Sequence, residues 1–112
     1  MILCHTLPSY RQVDFINVMT YDFHGVSDGK TGENAPLHSR SKESQWEKDN
    51  ANCEASIKHW KDKGASSSKL ILGLAFYGHS YKLKNSKVHG IGAPINGDNG
   101  QLPYSEVLIQ VL

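Results

Sequence analysis

Apolar residues gather in a few patches along the chain, and their spacing predicts an element for each. In Val13-Asp14-Phe15-Ile16-Asn17-Val18-Met19-Thr20 one alternating set is Val13, Phe15 and Met19 and the other is Ile16 and Val18, so a strand with two mainly apolar faces is expected. Lys69 to Tyr77 (KLILGLAFY) is apolar almost without interruption and reads as a second strand of the same kind. Strands apolar on both faces are those of parallel sheets covered by helices. Between them, Asn50 to Gly64 reads as a helix. Cys53, Ile57 and Trp60 recur at i, i+4 and i+7, Glu54 precedes Lys58 by one turn, Lys61 and Lys63 occupy the last turn, and Gly64 suits the left-handed position beyond it. Ser44-Gln45-Trp46-Glu47 has the spacing of a capping box and either starts this helix early or opens a separate turn. Strand, helix, strand makes a βαβ unit, whose crossover is expected to be right-handed.

The connection from Asp22 to about Asp49 is far longer and more polar than an ordinary βα loop of ~2–6 residues. It leaves the carboxyl end of the first strand, where parallel α/β folds bind ligands and do chemistry. Tyr21 and Asp22 stand at that end, and the second strand closes in Tyr77-Gly78-His79, which puts a phenol and an imidazole on one side of the sheet. Taken singly, Met19 and Tyr77 are core positions and Tyr21-Asp22 opens a turn. Taken together, four polar groups converge at one end of a sheet. After Tyr81 the chain turns Lys- and Gly-rich, with Gly90, Gly92, Gly97 and Gly100 as punctuation, and periodicity is weak until Tyr104. The run Val107 to Leu112 would leave apolar surface uncovered, and two strands with one helix cannot cover both faces of a parallel sheet. The pattern therefore reads as a piece of a larger domain.

Composition narrows the function classes. The chain has 112 residues, 38% hydrophobic and 21% charged, with twelve Lys+Arg against eleven Asp+Glu for a formal charge of +1. That balance gives no basic excess for a polyanion, so no nucleic-acid partner is expected. The longest apolar run, Leu70 to Tyr77, is far short of the ~20 residues of a membrane-crossing helix, so no membrane partner is expected either. Cys4 and Cys53 form no C-x-x-C, and the six histidines (His5, His24, His38, His59, His79, His89) lack ligand spacing, so no metal site is expected. Gly90-x-Gly92 has Ile95 where a dinucleotide fingerprint needs its third glycine, which leaves no cofactor. Met1 to Pro8 carries no basic n-region or apolar h-region, so no signal peptide is expected within this sequence, and there is no Asn-x-Ser/Thr acceptor.

The run Val13 to Gly25, with Met19-Thr20-Tyr21-Asp22 inside it, resembles the M-x-Y-D-bearing sixth barrel strand of family 18 glycoside hydrolases, the chitinases and chitinase-like lectins. The likeness continues in order through Asp28 to Leu37, Trp60, Gly64-Ala65 and Lys69 to Tyr81, and then through Gly92-Ala93-Pro94 and Leu102-Pro103-Tyr104-Ser105-Glu106, covering residues 12 to 108. It implies an α/β fold that is a fragment of a (β/α)₈ TIM barrel, namely strand 6, helix 6 and strand 7, plus the start of an α+β insertion domain. Residues 1–81 would be the partial catalytic domain and residues 82–112 the start of the insertion. Such a barrel takes ~250 residues, so the remainder of the barrel is required.

The implied activity is retaining hydrolysis of β-1,4-linked N-acetylglucosamine polymers, with chitin or chitooligosaccharides as partner and an extracellular location. The family's acid lies in D-x-x-D-x-D-x-E, and no Glu stands two residues after any Asp here, so this chain taken alone is expected to be inactive. The implied mechanism is substrate-assisted, an exception to the two-carboxylate scheme. Tyr21 and Asp22 would support catalysis by holding the acetamido group, Met19 would line the floor under the distorted sugar, and Tyr77 and His79 would bind neighbouring sugars. Three departures accompany the match. Ser27 stands where many members carry a stacking tryptophan, His79 where arginine is frequent, and Leu108 where many members have a cysteine. The alternatives are a non-catalytic chitin-binding lectin and a small α/β domain unrelated to sugars.

Overall fold

The structure is a computed structural model and describes residues 9–106. Its residues divide into two compact units. The first takes the chain up to Thr20 together with Leu37–Gly73, and the second takes Tyr21–Pro36 together with the chain from Leu74 onward.

The first unit is a parallel strand pair with helices between. Strand β1 (Ile16–Val18) pairs with β2 (Leu70–Leu72) in the register Ile16↔Leu70, Asn17↔Ile71 and Val18↔Leu72. The pair is extended by the Gly73 amide donating to the Val18 carbonyl and by the Thr20 hydroxyl donating to the Gly73 carbonyl at 2.7 Å. Both strands are shorter than the apolar runs that carry them, because ladder hydrogen bonds exist only where the partner is opposite.

The capping box at Ser44 and Glu47 forms, and it opens a separate helix α1 (Gln45–Asn50). Helix α2 (Cys53–Asp62) then starts afresh at Asn52, whose side chain accepts from the Ala55 amide. Its stop is the one expected, with Lys63 as cap and Gly64 at φ 96 just beyond it. Among the described residues, Val18, Ala51, Cys53 and Ala65 are the buried apolar ones of this unit. Cys53 is a free thiol; burial pushes its pKa up, and it donates to the Thr20 carbonyl.

The two-sided burial expected of these strands is not observed. Phe15, Met19, Ile71 and Leu72 are all exposed, although their sequence is that of covered strands. A pair of three-residue strands with one helical layer leaves the rest of its apolar surface in water.

The second unit is an antiparallel hairpin, and here the sequence reading needs correction. The run Lys69–Tyr77 is not one strand: the ladder with β1 stops at Leu72, and Tyr77 opens a new strand, β3 (Tyr77–Leu83). Strand β3 pairs with β4 (Ile95–Pro103), from Tyr77↔Pro103 to Leu83↔Ile95, with register shifts after Ser80 and Tyr81. Gly97 and Gly100 take positive φ within β4, so the glycines that hid the strand's periodicity also let it follow these bulges. Residues 29–31 lie along residues 93–95. The Thr31 amide donates to the Ala93 carbonyl, the Gly92 amide to the Thr31 carbonyl and the Ile95 amide to the Gly29 carbonyl, and Ala93 and Ile95 are buried. The long polar segment after Asp22 is thus largely ordered, with a 3₁₀ turn at Val26–Asp28 closed by Gly29 at φ 66. Cys4 and the run Val107 to Leu112 lie outside the described residues.

Candidate active site

Four of the five candidate residues come together, all within the second unit. Thr20 is followed by Tyr21 and Asp22 as the chain leaves β1, and Asp22 adopts φ 59, the only positive φ of a non-glycine residue among the described residues. That left-handed turn carries the Asp22 carboxylate to the first residues of β3. Its Oδ1 accepts from the Tyr77 hydroxyl at 2.6 Å and lies 2.9 Å from the His79 Nε2. Tyr77 and His79 sit two apart on one strand and so share a face, their rings meeting edge-on at 5.9 Å. Tyr21 completes the cluster with its ring edge-on to Tyr77 at 6.1 Å. Met19 belongs to the first unit; its side chain is 74% exposed, so it is not a core residue.

Asn34 is a contributor that the sequence reading contained only inside a longer stretch. Its Oδ1 accepts the Asp22 amide at 3.0 Å and its Nδ2 donates to the Tyr77 carbonyl at 3.0 Å. A second layer lies behind. His24, only 6% exposed, pairs through Nδ1 with Asp28 at 2.9 Å, and the Tyr81 hydroxyl donates to the His24 carbonyl.

The electrostatics follow from these contacts. The Tyr77 hydroxyl holds the Asp22 carboxyl below its usual pKa against an opposing burial effect, and His79 lowers it further. Burial, followed by the bond and charge of Asp22, pushes the Tyr77 phenol up to about 12. Tyr81 is raised too, by burial first and then by Asp28 and Asp98. The site is therefore an ionised carboxylate beside the protonated Tyr77 phenol. A carboxylate offers about four lone-pair directions, and the contacts above use two, so Asp22 can still accept from a ligand N–H or O–H. No group of three or more His, Cys, Asp or Glu able to hold a metal occurs among the described residues.

The arrangement is a carboxylate just past a parallel strand, braced by a phenolic hydroxyl and an imidazole. The profile of "Glycosyl hydrolases family 18" matches residues 6–110. The chain belongs to that family, whose fold is a TIM barrel, and its described part is a small α/β portion of it. Among relatives, it is 42% identical over 96 residues to mouse chitotriosidase-1, a match covering 86% of this chain and 20% of that protein. Among solved structures, an immunomodulatory active chitinase from Trichuris suis superposes with a TM-score of 0.86 at 36% identity, covering 94% of this chain and 31% of that one. Human YKL-39, described as a pseudo-chitinase with retained chitooligosaccharide binding, gives a TM-score of 0.81 at 30% identity over 91% of this chain and 30% of that one. The chain thus spans about a fifth of the length of the mouse relative.

Proposed function

We propose that this chain is part of a secreted chitinase, with residues 1–81 forming strand 6, helix 6 and strand 7 of the barrel and residues 82–112 the start of the insertion domain. Its substrate is chitin or chitooligosaccharides, cleaved with retention by the substrate-assisted route. The observation that carries the reading is the Asp22 carboxylate oxygen held by Tyr77 at 2.6 Å and His79 at 2.9 Å, beside Tyr21. A glutamic acid from the rest of the barrel protonates the departing glycosidic oxygen. The substrate's own acetamido oxygen attacks the anomeric carbon, and an oxazolinium ion forms.

This chain supplies the groups that hold the acetamido arm in line for that attack. Tyr21 donates its hydroxyl to the acetamido carbonyl. Asp22 accepts the acetamido N–H, and its negative charge offsets the positive charge that grows on the nitrogen as the ring closes. Met19 lines the floor under the distorted sugar, and Tyr77 and His79 meet neighbouring sugars.

The lectin alternative is favoured by the likeness to YKL-39, whereas Ser27 in place of a stacking aromatic weakens the grip on long chitin chains under either reading. Retention of Tyr21 and Asp22 favours the enzyme, because a binder has less need of an acetamido clamp. In a complete family 18 protein carrying residues 12–108, Tyr21→Phe should lower kcat by ~10²–10³-fold. Asp14→Asn, an exposed change at the other end of the strand, should leave it unaltered. The 112-residue chain alone should release no product from chitooligosaccharides, since clamping an acetamido group does not protonate a leaving alkoxide. Turnover insensitive to Tyr21→Phe would overturn the acetamido role of Tyr21, and sugar binding without turnover in the complete protein would overturn the enzyme reading and establish the lectin.

A further inference from the structure

We propose that Asn34 is a positioning residue, whose side-chain amide ties the backbone of Asp22 to the backbone of Tyr77 and so sets the Asp22 carboxylate against the Tyr77 hydroxyl. The argument starts from the backbone. A non-glycine residue at φ 59 is disfavoured by contact between its Cβ and the following carbonyl, and such conformations persist where their surroundings over-determine them. Here the surroundings are residue 34. The Asp22 amide donates to Asn34 Oδ1 at 3.0 Å, and the next amide, Phe23, donates to the Asn34 carbonyl at 3.1 Å. Two successive amides are thus aimed at one residue, which holds the turn in its left-handed form.

The other end of the same side chain reaches β3, where Nδ2 donates to the Tyr77 carbonyl at 3.0 Å. Turning the amide over would bring its NH₂ against the Asp22 N–H and its oxygen against the Tyr77 carbonyl, so only one orientation satisfies both neighbours. The two backbone groups bridged this way belong to the two residues whose side chains share the 2.6 Å bond, although they lie 55 positions apart in sequence. Asn34 therefore acts through Asp22 and Tyr77 and not on substrate.

The consequence for catalysis rests on the chitinase reading, but the positioning itself does not, and the test separates them. In the 112-residue chain with ¹³C-labelled aspartate, the Asp22 carboxyl should titrate below the ordinary value, held down first by the Tyr77 hydroxyl. In Asn34→Ala its midpoint should rise, because that hydroxyl is no longer set against it, while cross-strand contacts at Tyr77↔Pro103 and His79↔Gln101 persist. Thr31→Val is the control. It removes a hydroxyl that staples the same segment to Gly90 and Ala93 without touching Asp22 or Tyr77, and it should leave the Asp22 titration in place.

A midpoint unmoved by Asn34→Ala, or moved equally by Thr31→Val, overturns the proposal. If Asn34→Ala loses the hairpin, the parent chain still decides. The Asn34 NH₂ protons should exchange with solvent more slowly than those of exposed Asn99, and equal rates overturn the proposal. In a complete family 18 enzyme carrying residues 12–108, Asn34→Ala should reduce kcat by about 10–10²-fold with KM little changed, the cost of a misplaced group. No sugar enters the titration, so failure of the chitinase reading would leave it intact. An unmoved titration beside normal Tyr21-dependent turnover would sink the positioning role alone.

Discussion

Replacing Asp22 with asparagine removes a charge from beside the Tyr77 hydroxyl while leaving an acceptor oxygen in place, and the size of the effect can be worked from the contact. A phenolate at Tyr77 would face the carboxylate at 2.6 Å. With the screening of bulk water, ε of about 80, two such charges repel by about 1.6 kcal/mol, which is about 1.2 pKa units. With ε of about 20 the figure is about 6.4 kcal/mol, or more than four units. The phenol rises only from 10 to about 12, and burial is the largest contributor to that rise. The weaker, water-like value is thus the one that fits, as expected for a carboxylate whose side chain is 51% exposed. Asp22→Asn should lower the Tyr77 pKa by about one unit, to about 11.

At pH 11 about a tenth of Tyr77 would be ionised in the parent and about half in the variant, a contrast that ¹³C-tyrosine resonances resolve. The sign for stability follows. The folded chain holds the phenolic proton more tightly than the unfolded chain, so this contribution is complete below pH 10 and is lost as pH climbs through about 12. In the variant the loss should be smaller and complete about one unit earlier. An unchanged Tyr77 midpoint in Asp22→Asn would mean that the carboxylate does not face the phenol in solution.

Tyr77→Phe removes the largest cause of the low Asp22 pKa, so the Asp22 carboxyl should titrate higher by ¹³Cγ shift, with only His79 left to oppose burial. A depressed carboxylate stabilises above its unfolded value of 3.8 and loses that contribution as pH falls through the folded value, so the acid-side loss should also shrink in Tyr77→Phe. Asn52→Ala should cost about 1–2 kcal/mol in urea unfolding. The buried Asn52 both caps α2 at the Ala55 amide and donates to the Lys48 carbonyl, each at 2.8 Å. Gly32→Ala would place a Cβ 2.4 Å from His24 Cβ and Cγ, so it should destabilise by about 1–3 kcal/mol and separate His24 from Asp28 in the imidazole resonances.

Local signals account for much that could be read directly from the chain. Capping chemistry marked one helix start, because Ser44 and Glu47 are three residues apart, whereas the start of α2 at the Asn52 cap lies just beyond the Asn50 that the apolar spacing suggested. The stop at Lys63-Gly64 is local in the same way. The parallel pairing of the two apolar runs was legible as well, since strands joined through a helix return in the same direction. Tyr21, Asp22, Tyr77 and His79 do meet, but not as the sequence suggested, since Tyr77 and His79 open an antiparallel strand and do not close the parallel one.

What the chain by itself could not show was where the ladders end and which backbone groups the site borrows. The apolar run from Leu70 to Tyr77 carries no mark at Leu72; the break exists because residues after Gly73 leave the β1 partner and take up β4 instead. Strand β4 hid behind its own glycines, whose positive φ values serve a bulged antiparallel ladder and erase alternation. Asn34 stood in a polar stretch with nothing to distinguish it from its neighbours. Its importance arises from one carbonyl 43 residues away and one amide 12 residues away, and such long-range hydrogen bonds become visible only when tertiary structure brings their ends within 3.0 Å.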